Sequence, residues 1–297
     1  MHASLDCIPC FVRQALEAAR FVTDDTSVHE RVVRDVLRTA AGMDLAQSPP
    51  VVGQRIHRDL RRLTGSVDPY RPAKDRFNRM ALAVLPGCRR RIDEADDPLR
   101  TALRLAIAAN VIDLGVDGSV SERGARRALD AALHEPFRGD VEGFRQTVEP
   151  VDDILYLADN AGEIVLDRLL IEQLRPERVT VAVRGAPVLN DATRDDAAAA
   201  GLDEIVEVID NGSDAPGTIL SDCNAAFRRR FAEADLVIAK GQGNYETLSD
   251  AARDVYFLFK VKCPVIASHA GLPVGTHAAL RTPALMAPAG GQHHAGI

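Results

Sequence analysis

Apolar positions recur at intervals of three and four through the first half of the chain and in short unbroken runs through the second. The helical spacing covers Phe11 to Ala19, Val28 to Ala40, Val51 to Leu63, Arg76 to Leu85, Pro98 to Val111, Ser121 to Leu133 and Val141 to Val148. Turn-forming clusters separate these segments, among them Thr23-Asp24-Asp25, Ser48-Pro49-Pro50, Asp68-Pro69-Tyr70-Arg71-Pro72 and Leu85-Pro86-Gly87. Past residue 150 the pattern predicts strands at Ile154 to Ala158, Arg178 to Val183, Ile205 to Ile209, Leu236 to Ala239, Val255 to Phe259 and Val265 to Ala267. Helices are expected between them at Glu163 to Leu174, Asp191 to Ala200, Cys223 to Ala232 and Tyr245 to Ala252. Such alternation predicts an α/β fold with a mainly parallel sheet and helices on both faces. The expected organisation is a helical subdomain over residues 1–150 and an α/β domain over 151–297. Residues 281–297 read as a frayed tail, with His293 and His294 solvated rather than ligating.

Composition narrows the classes of partner. A formal charge of -7 over 297 residues gives no steering field for nucleic acid. The arginine groups at Arg61-Arg62, Arg89 to Arg91 and Arg228 to Arg230 fit solvated helix faces. The N-terminus lacks the basic start and apolar core of a signal peptide, and no run approaches the roughly 20 apolar residues of a membrane span. A cytoplasmic protein with no membrane partner is therefore expected. Five cysteines, of which only Cys7 and Cys10 are closely spaced, predict no disulfide stapling.

Four of the predicted strands end in polar clusters. After the first come Asp159, Asn160, Gly162 and Glu163; after the second, Arg184 to Asp191, where a Gly-Pro loop delivers Asn190 and Asp191 to a helix start. The third is followed by Asp210 to Thr218, and the fourth by Lys240-Gly241-Gln242-Gly243-Asn244-Tyr245-Glu246. If the strands are parallel, all four clusters face one crevice, because ligands bind outside the carboxyl ends of such strands. Taken alone, an Asp or Asn at a strand end caps the following helix. Together the clusters predict a site for an anion and a metal. Asp159, Asn160 and Asp191 offer the oxygen ligands that a hard divalent cation demands. Lys240, set beside Gly241, supplies a point charge for phosphate oxygens. Gly212-Ser213 and Gly217-Thr218 add N–H and hydroxyl donors of the same use.

The segments Asp-Asn-Ala-Gly-Glu at 159–163, Asn-Asp-Ala-Thr at 190–193, Lys-Gly-Gln-Gly-Asn-Tyr-Glu at 240–246 and Asp-Cys-Ile-Pro-Cys-Phe-Val-Arg-Gln-Ala at 6–15 closely resemble the metal-dependent damage-control phosphatases, long described only as a domain of unknown function. The likeness extends over almost the whole chain, including Asp68-Pro69-Tyr70 and Asn110 to Asp113, and is greatest to the prokaryotic branch with a Cys-x-x-Cys start. The resemblance implies a helical N-terminal subdomain packed on a Rossmann-like α/β domain. It implies a divalent cation, Mg²⁺, Mn²⁺, Co²⁺ or Ni²⁺, held at Asp159, Asn160 and Asp191, and hydrolysis of phosphate monoesters such as sugar phosphates or damaged phosphometabolites. Lys240 matches the family's phosphate-contacting lysine, and Asn244 lies in the same motif. Catalysis is thus expected from Asp159, Asn160, Asp191 and Lys240, with Glu163, Ser213, Asn244, Asn110 and Asp113 toward the substrate.

Several residues keep two readings. Asn110 and Asp113, three apart on one helix face, either reach the substrate from the helical half or cap and bridge buried helices. Cys7 and Cys10 are half a zinc site, a redox pair, or two partly buried thiols near the crevice, the last being favoured. Tyr70 or Arg71 closes over a ligand, or the Asp68-Pro69-Tyr70 segment is only a helix entry. His57 and His269 have no partner in sequence that would make either a general acid. The nucleophile is either a water or Asp159 itself. Two rival functions remain at this stage: a nucleotide or nucleotide-sugar binding protein without hydrolysis, and an S-adenosylmethionine-dependent carboxyl methyltransferase. Substrate, preferred metal and oligomeric state are not fixed by the sequence.

Overall fold

The computed structural model describes residues 1–110 and 122–282. Twelve helices and seven strands are found among them. Strands β1 (Phe137–Gly139), β2 (Ile154–Leu157), β3 (Val179–Val183), β4 (Glu207–Asp210), β5 (Leu236–Lys240), β6 (Val255–Lys260) and β7 (His277–Thr282) form one sheet in the order β1-β7-β6-β5-β2-β3-β4. From β6 to β4 all neighbours are parallel, while β7 runs antiparallel to β6 and β1 parallel to β7.

Strands β2, β3 and β5 are buried along their whole length because helices cover both faces of the sheet. Successive side chains on a strand point to opposite faces, and the two cores divide accordingly. Ile154, Tyr156, Val181 and Ile238 face α4 (Arg71–Asp93), α5 (Pro98–Ala108) and α8 (Glu163–Gln173). Leu155, Leu157, Val237 and Phe257 face α10 (Ala225–Glu233), α11 (Gly241–Leu248) and α12 (Pro264–Ala270). Helices α1 (Cys7–Val22), α2 (Thr26–Ala41) and α3 (Pro49–Thr64) close a third cluster around Phe11, Val32 and Leu60, and α3 packs on α11.

The shared core crosses the expected boundary at residue 150. Helices α4 and α5, with α6 (Glu122–Ala132) and α7 (Val141–Val148), contribute to the layer on the sheet, and β1 joins the sheet itself. Among the described residues, α1 to α3 build a separate apolar cluster, joined by Ala3 and Tyr70 and touched by Leu189 and Val265.

Helix α4 continues past the expected stop at Leu85 through Pro86 to Asp93, because Val84, Cys88 and Ile92 keep one buried stripe going. Pro86 lies on the exposed side, where its missing N–H costs least. The run Val265 to Ala267, read as a strand, is helix α12: Pro264 sits in its first turn and Gly271 ends it in the left-handed conformation, at φ 66°. The last strand comes instead from His277–Thr282, and Phe137–Gly139 adds a short strand outside the expected set. No helix among the described residues is long and apolar enough to cross a membrane.

Candidate active site

Chain order reverses between β2 and β5, since β3 and β4 extend the sheet on one side of β2, and β5 and β6 on the other. A crevice opens at such a switch point, at the carboxyl ends of the strands. Asp159 and Asn160 follow β2 there, and Gly241 follows β5. The register pairing Leu157 with Ala239 brings Asp159 beside Gly241. Gly241 has φ 78°, and a Cβ on it would strike the Asp159 carboxylate. Glycine is required there by both conformation and space.

The loop after β3 folds back onto the loop after β2. The Ala192 N–H donates to the Asp159 carbonyl at 2.8 Å and the Ala161 N–H to the Asn190 carbonyl at 2.8 Å, so that Asn160 and Asp191 form an isolated antiparallel bridge. Leu189, at φ 46°, turns the chain just before Asn190 and Asp191. A non-glycine residue in that conformation is strained and is held by its surroundings. On the other side, Gly162 at φ 77° starts α8 and donates its N–H to Asn78 Oδ1 at 2.7 Å. Asp159, Asn160 and Asp191 are thereby brought together by backbone bonds from two separate loops.

These carboxylates are buried and crowded. Burial raises the Asp159 carboxyl well above the usual carboxylate range, and the charges of Glu163 and Asp191 add to the rise. Burial also raises Asp191, against the pull of Arg184. Relief comes from donors. Arg184 Nε donates to Asp191 Oδ2 at 2.7 Å, and its Nη2 lies 3.9 Å from Asp159 Oδ1. The Asn160 amide donates to Asp159 Oδ2 at 3.0 Å and Glu163 Oε2 at 3.3 Å, and Asn110 Nδ2 donates to the same Glu163 oxygen at 3.1 Å.

Lys240 stands behind this group rather than in front of it, which departs from the phosphate contact expected of it. Its ammonium donates to Glu163 Oε1 at 2.6 Å, Asp167 Oδ1 at 2.5 Å and the Ala106 carbonyl at 2.9 Å, and the side chain is fully buried. Burial opposes its charge, yet Asp167 and Glu163 override that and hold it above the usual lysine range. Three donors are matched by three acceptors, leaving none for a ligand.

Other expected contacts are turned inward. Asn244 Nδ2 donates to the Lys240 carbonyl at 2.7 Å, and its Oδ1 accepts from the Thr218 hydroxyl at 2.8 Å. The Ser213 hydroxyl donates to Asp222 at 2.6 Å and accepts from the Ala215 N–H at 3.1 Å. Both therefore brace loops. Asp113, with His293 and His294, lies outside the described residues. Tyr70 stacks on Phe21 at 5.0 Å and is buried, and Arg71 pairs with Asp75 and Asp196, so neither closes over the crevice. His57 is buried and pushed down to about 4 by burial, which keeps it neutral.

Arg61 is not on a solvated face: it binds Asp214 and donates to the Pro187 carbonyl at 2.6 Å, tying α3 to the loop that carries Asp191. Arg58 and Gln54 meet Asp214 from the same helix. Cys7 is buried and Cys10 half-buried, both free thiols. Among the described residues no group of three or more His, Cys, Asp or Glu is placed to hold a metal. The half-zinc reading of Cys7 and Cys10 thus finds no completing ligands.

A metal at Asp159, Asn160 and Asp191 would meet two carboxylates and one amide, with no nitrogen or sulfur ligand. Such a donor set fits a hard cation that keeps several waters, and not a tetrahedral zinc site. Burial raises both carboxyls, and the neighbouring charges of Glu163 and Asp191 raise Asp159 further; a cation between them would offset both effects, so the group fits one.

Comparison with known proteins agrees over nearly the whole chain. A family model described as the damage-control phosphatase ARMT1-like domain matches residues 3–278. A protein of Archaeoglobus fulgidus named damage-control phosphatase is 36% identical over 284 residues, covering 93% of this chain and 97% of that one. Another so named, from Pyrococcus horikoshii, is 31% identical over 288 residues, covering 95% and 98%. An uncharacterized protein of Methanocaldococcus jannaschii is 33% identical over 292 residues, covering 93% and 94%. The crystal structure of a DUF89 family protein from Pyrococcus horikoshii superposes with a TM-score of 0.85 at 30% identity, covering 95% of this chain and 99% of that one.

Proposed function

Since the chain belongs to the damage-control phosphatase ARMT1-like family, we propose that it hydrolyses phosphate monoesters of small metabolites, sugar phosphates or damaged phosphometabolites, with a divalent cation held by Asp159, Asn160 and Asp191. The observation that carries this reading is the antiparallel bridge between Asn160 and Asp191, which holds oxygen donors from two loops together at the switch point of the sheet. When bound, Mg²⁺, Mn²⁺, Co²⁺ or Ni²⁺ would polarise a phosphoryl oxygen and lower the pKa of a coordinated water.

The protein's own groups do the positioning. Glu163, fixed on one oxygen by Lys240 and on the other by Asn110 and Asn160, keeps the Asn160 amide in place. Arg184 fixes the Asp191 carboxylate through Nε. Asn110, two residues past α5, ties the helical layer to Glu163, and from there it would act on the organic part of a substrate. Positioning and fixed charge carry most of the rate in phosphoryl transfer.

Release of phosphate from an aryl phosphate, measured with each divalent cation and with chelator, tests the reading. Turnover that depends on the cation is expected. Turnover absent with every cation, together with binding of S-adenosylmethionine in a parallel titration, would replace it with the methyltransferase alternative.

A further inference from the structure

Helices α4 and α5 are joined by residues 94–97 and pack on one another. One end of each reaches the crevice: Asn78 of α4 accepts from the Gly162 N–H, and the Ala106 carbonyl of α5 accepts from Lys240. Their other ends meet at a cavity of about 630 Å³, lined by Arg90, Arg91, Glu94, Arg100, Arg104 and Leu133 among others. At about 1.5 Å of rise per residue, Arg90 lies roughly 18 Å along α4 from Asn78, so the cavity is separate from the crevice.

Four guanidiniums around one cavity are unexpected in a chain whose formal charge is -7. They differ in how far their charge is met. Arg91 pairs with Asp130 at 2.7 Å, and the preceding Arg89 turns away from the cavity to Glu172, at 2.8 Å. Arg90 and Arg100 are exposed, and among the described residues neither pairs with a carboxylate. Glu94 is the one acid on the cavity wall.

Arg104 is the informative member. It is half-buried, its Nη2 donates to the Glu135 carbonyl at 3.1 Å, and its guanidinium lies 5.4 Å from the centre of the Phe137 ring. Its Nε is buried and has no acceptor among the described residues. The Glu135 carboxylate does not answer it, being 2.6 Å from Lys260 and 3.0 Å from His277 Nε2. Arg100 stands one turn away on α5, and like charges at that spacing repel. Burial lowers the Arg104 pKa, and the Arg100 charge lowers it further. A buried guanidinium N–H without an acceptor costs free energy, and a cluster of like charges adds to that cost unless an anion joins it.

We propose that this cavity is a second ligand site, which binds a small organic diphosphate through the guanidiniums of Arg90, Arg100 and Arg104. Arginine presents a planar fork of donors suited to phosphate oxygens. One phosphate monoester carries only about 1.5–2 negative charges, too few for three guanidiniums spread over two helices, whereas a diphosphate group offers more charge and a longer reach. A cavity of this size accommodates a metabolite, and Ala95 and Leu133 give its organic part an apolar wall. The site needs neither the divalent cation nor the phosphatase reading.

The test titrates inorganic pyrophosphate, and separately inorganic phosphate, into the metal-free full chain by calorimetry. Pyrophosphate is expected to bind more tightly than phosphate. Arg100→Gln should weaken pyrophosphate about tenfold or more, and adding Arg90→Gln should weaken it further, as charge-assisted hydrogen bonds are removed one by one. Both residues are exposed, so unfolding temperatures should be unchanged. Amide hydrogen exchange places the anion: slower exchange is expected over residues 86–105 when pyrophosphate is added. A wild-type protein that binds no pyrophosphate overturns the proposal, as does undiminished affinity in the double variant. Slowing confined to residues 159–163 and 184–193 overturns it too, by putting the anion in the crevice. Equal affinity for phosphate and pyrophosphate overturns the assignment of a diphosphate.

Discussion

The Nζ of Lys240 lies 2.6 Å from Oε1 of Glu163, deep enough that the lysine side chain has no exposed surface. Asp167 sits on the other side of the same ammonium at 2.5 Å. Removing one partner of a buried ion group leaves the others charged without compensation, at a cost of about 3–5 kcal/mol. Lys240→Met is therefore expected to destabilise the fold by about that amount, read as a shift in the urea unfolding midpoint. Near-wild-type stability would mean that the three groups are not paired in solution.

Asp159 and Asp191 are expected to trade stability for activity. Each carboxyl is pushed up by burial, and Asp159 further by its charged neighbours. Asp159→Asn removes part of that repulsion at nearly constant volume. Turnover of an aryl phosphate should fall by about a hundred- to a thousandfold, as when a group that holds charge in the transition state is lost. The unfolding temperature should stay level or rise. A variant that loses activity only because it unfolds would show the opposite thermal shift.

Much of the fold is legible because β2, β3, β5 and β6 are nearly continuous apolar runs, buried on both faces, and turn chemistry brackets them. Val265 to Ala267 misled because three apolar residues carry no period of their own, and Pro264 was the clue to a helix start. His277–Thr282 is less legible because His-Ala-Ala-Leu-Arg-Thr has one β-branched residue, no aromatic and no clear alternation, and it lies second from the edge of the sheet, paired on its outer side with the three-residue β1. The strand ends were legible as a convergent set, and the structure does bring Asp159, Asn160 and Asp191 together. What Lys240 faces was not legible from its own motif. A signal existed in α8: Ile164, Val165, Leu166, Leu169, Leu170 and Ile171 are all buried, so Glu163 and Asp167, four apart on that helix, demand a buried cation.

Gly241 offers a direct check on the close approach of β5 to the Asp159 loop. With φ 78° and a Cβ directed into the carboxylate, Gly241→Ala pays for both strain and displacement. A loss of about 1–3 kcal/mol in stability is expected from the conformation alone. Metal affinity should fall at the same time, because the carboxylate that must move is Asp159. Gly87→Ala, at a helical position with nothing within 4 Å of the added methyl, serves as the control and should be neutral or mildly stabilising. Equal effects at the two positions would contradict the packing described.

Glu246 gives the structure a pH signature. Burial pushes its carboxyl up to about 7, although Gln242 Nε2 donates to it at 2.8 Å and Lys262 pulls the other way. A carboxyl whose folded value lies above its unfolded one takes up protons more readily when folded. Stability therefore falls as pH rises from the ordinary glutamate range through about 7, and the penalty is complete above that. Glu246→Gln imitates the protonated form at every pH. Its stabilising effect should be small at pH 5 and about 2 kcal/mol larger at pH 8, measured by urea unfolding at the two values. A difference of the opposite sign would place Glu246 in an environment that favours its charge, and the burial of this end of α11 would have to be redrawn.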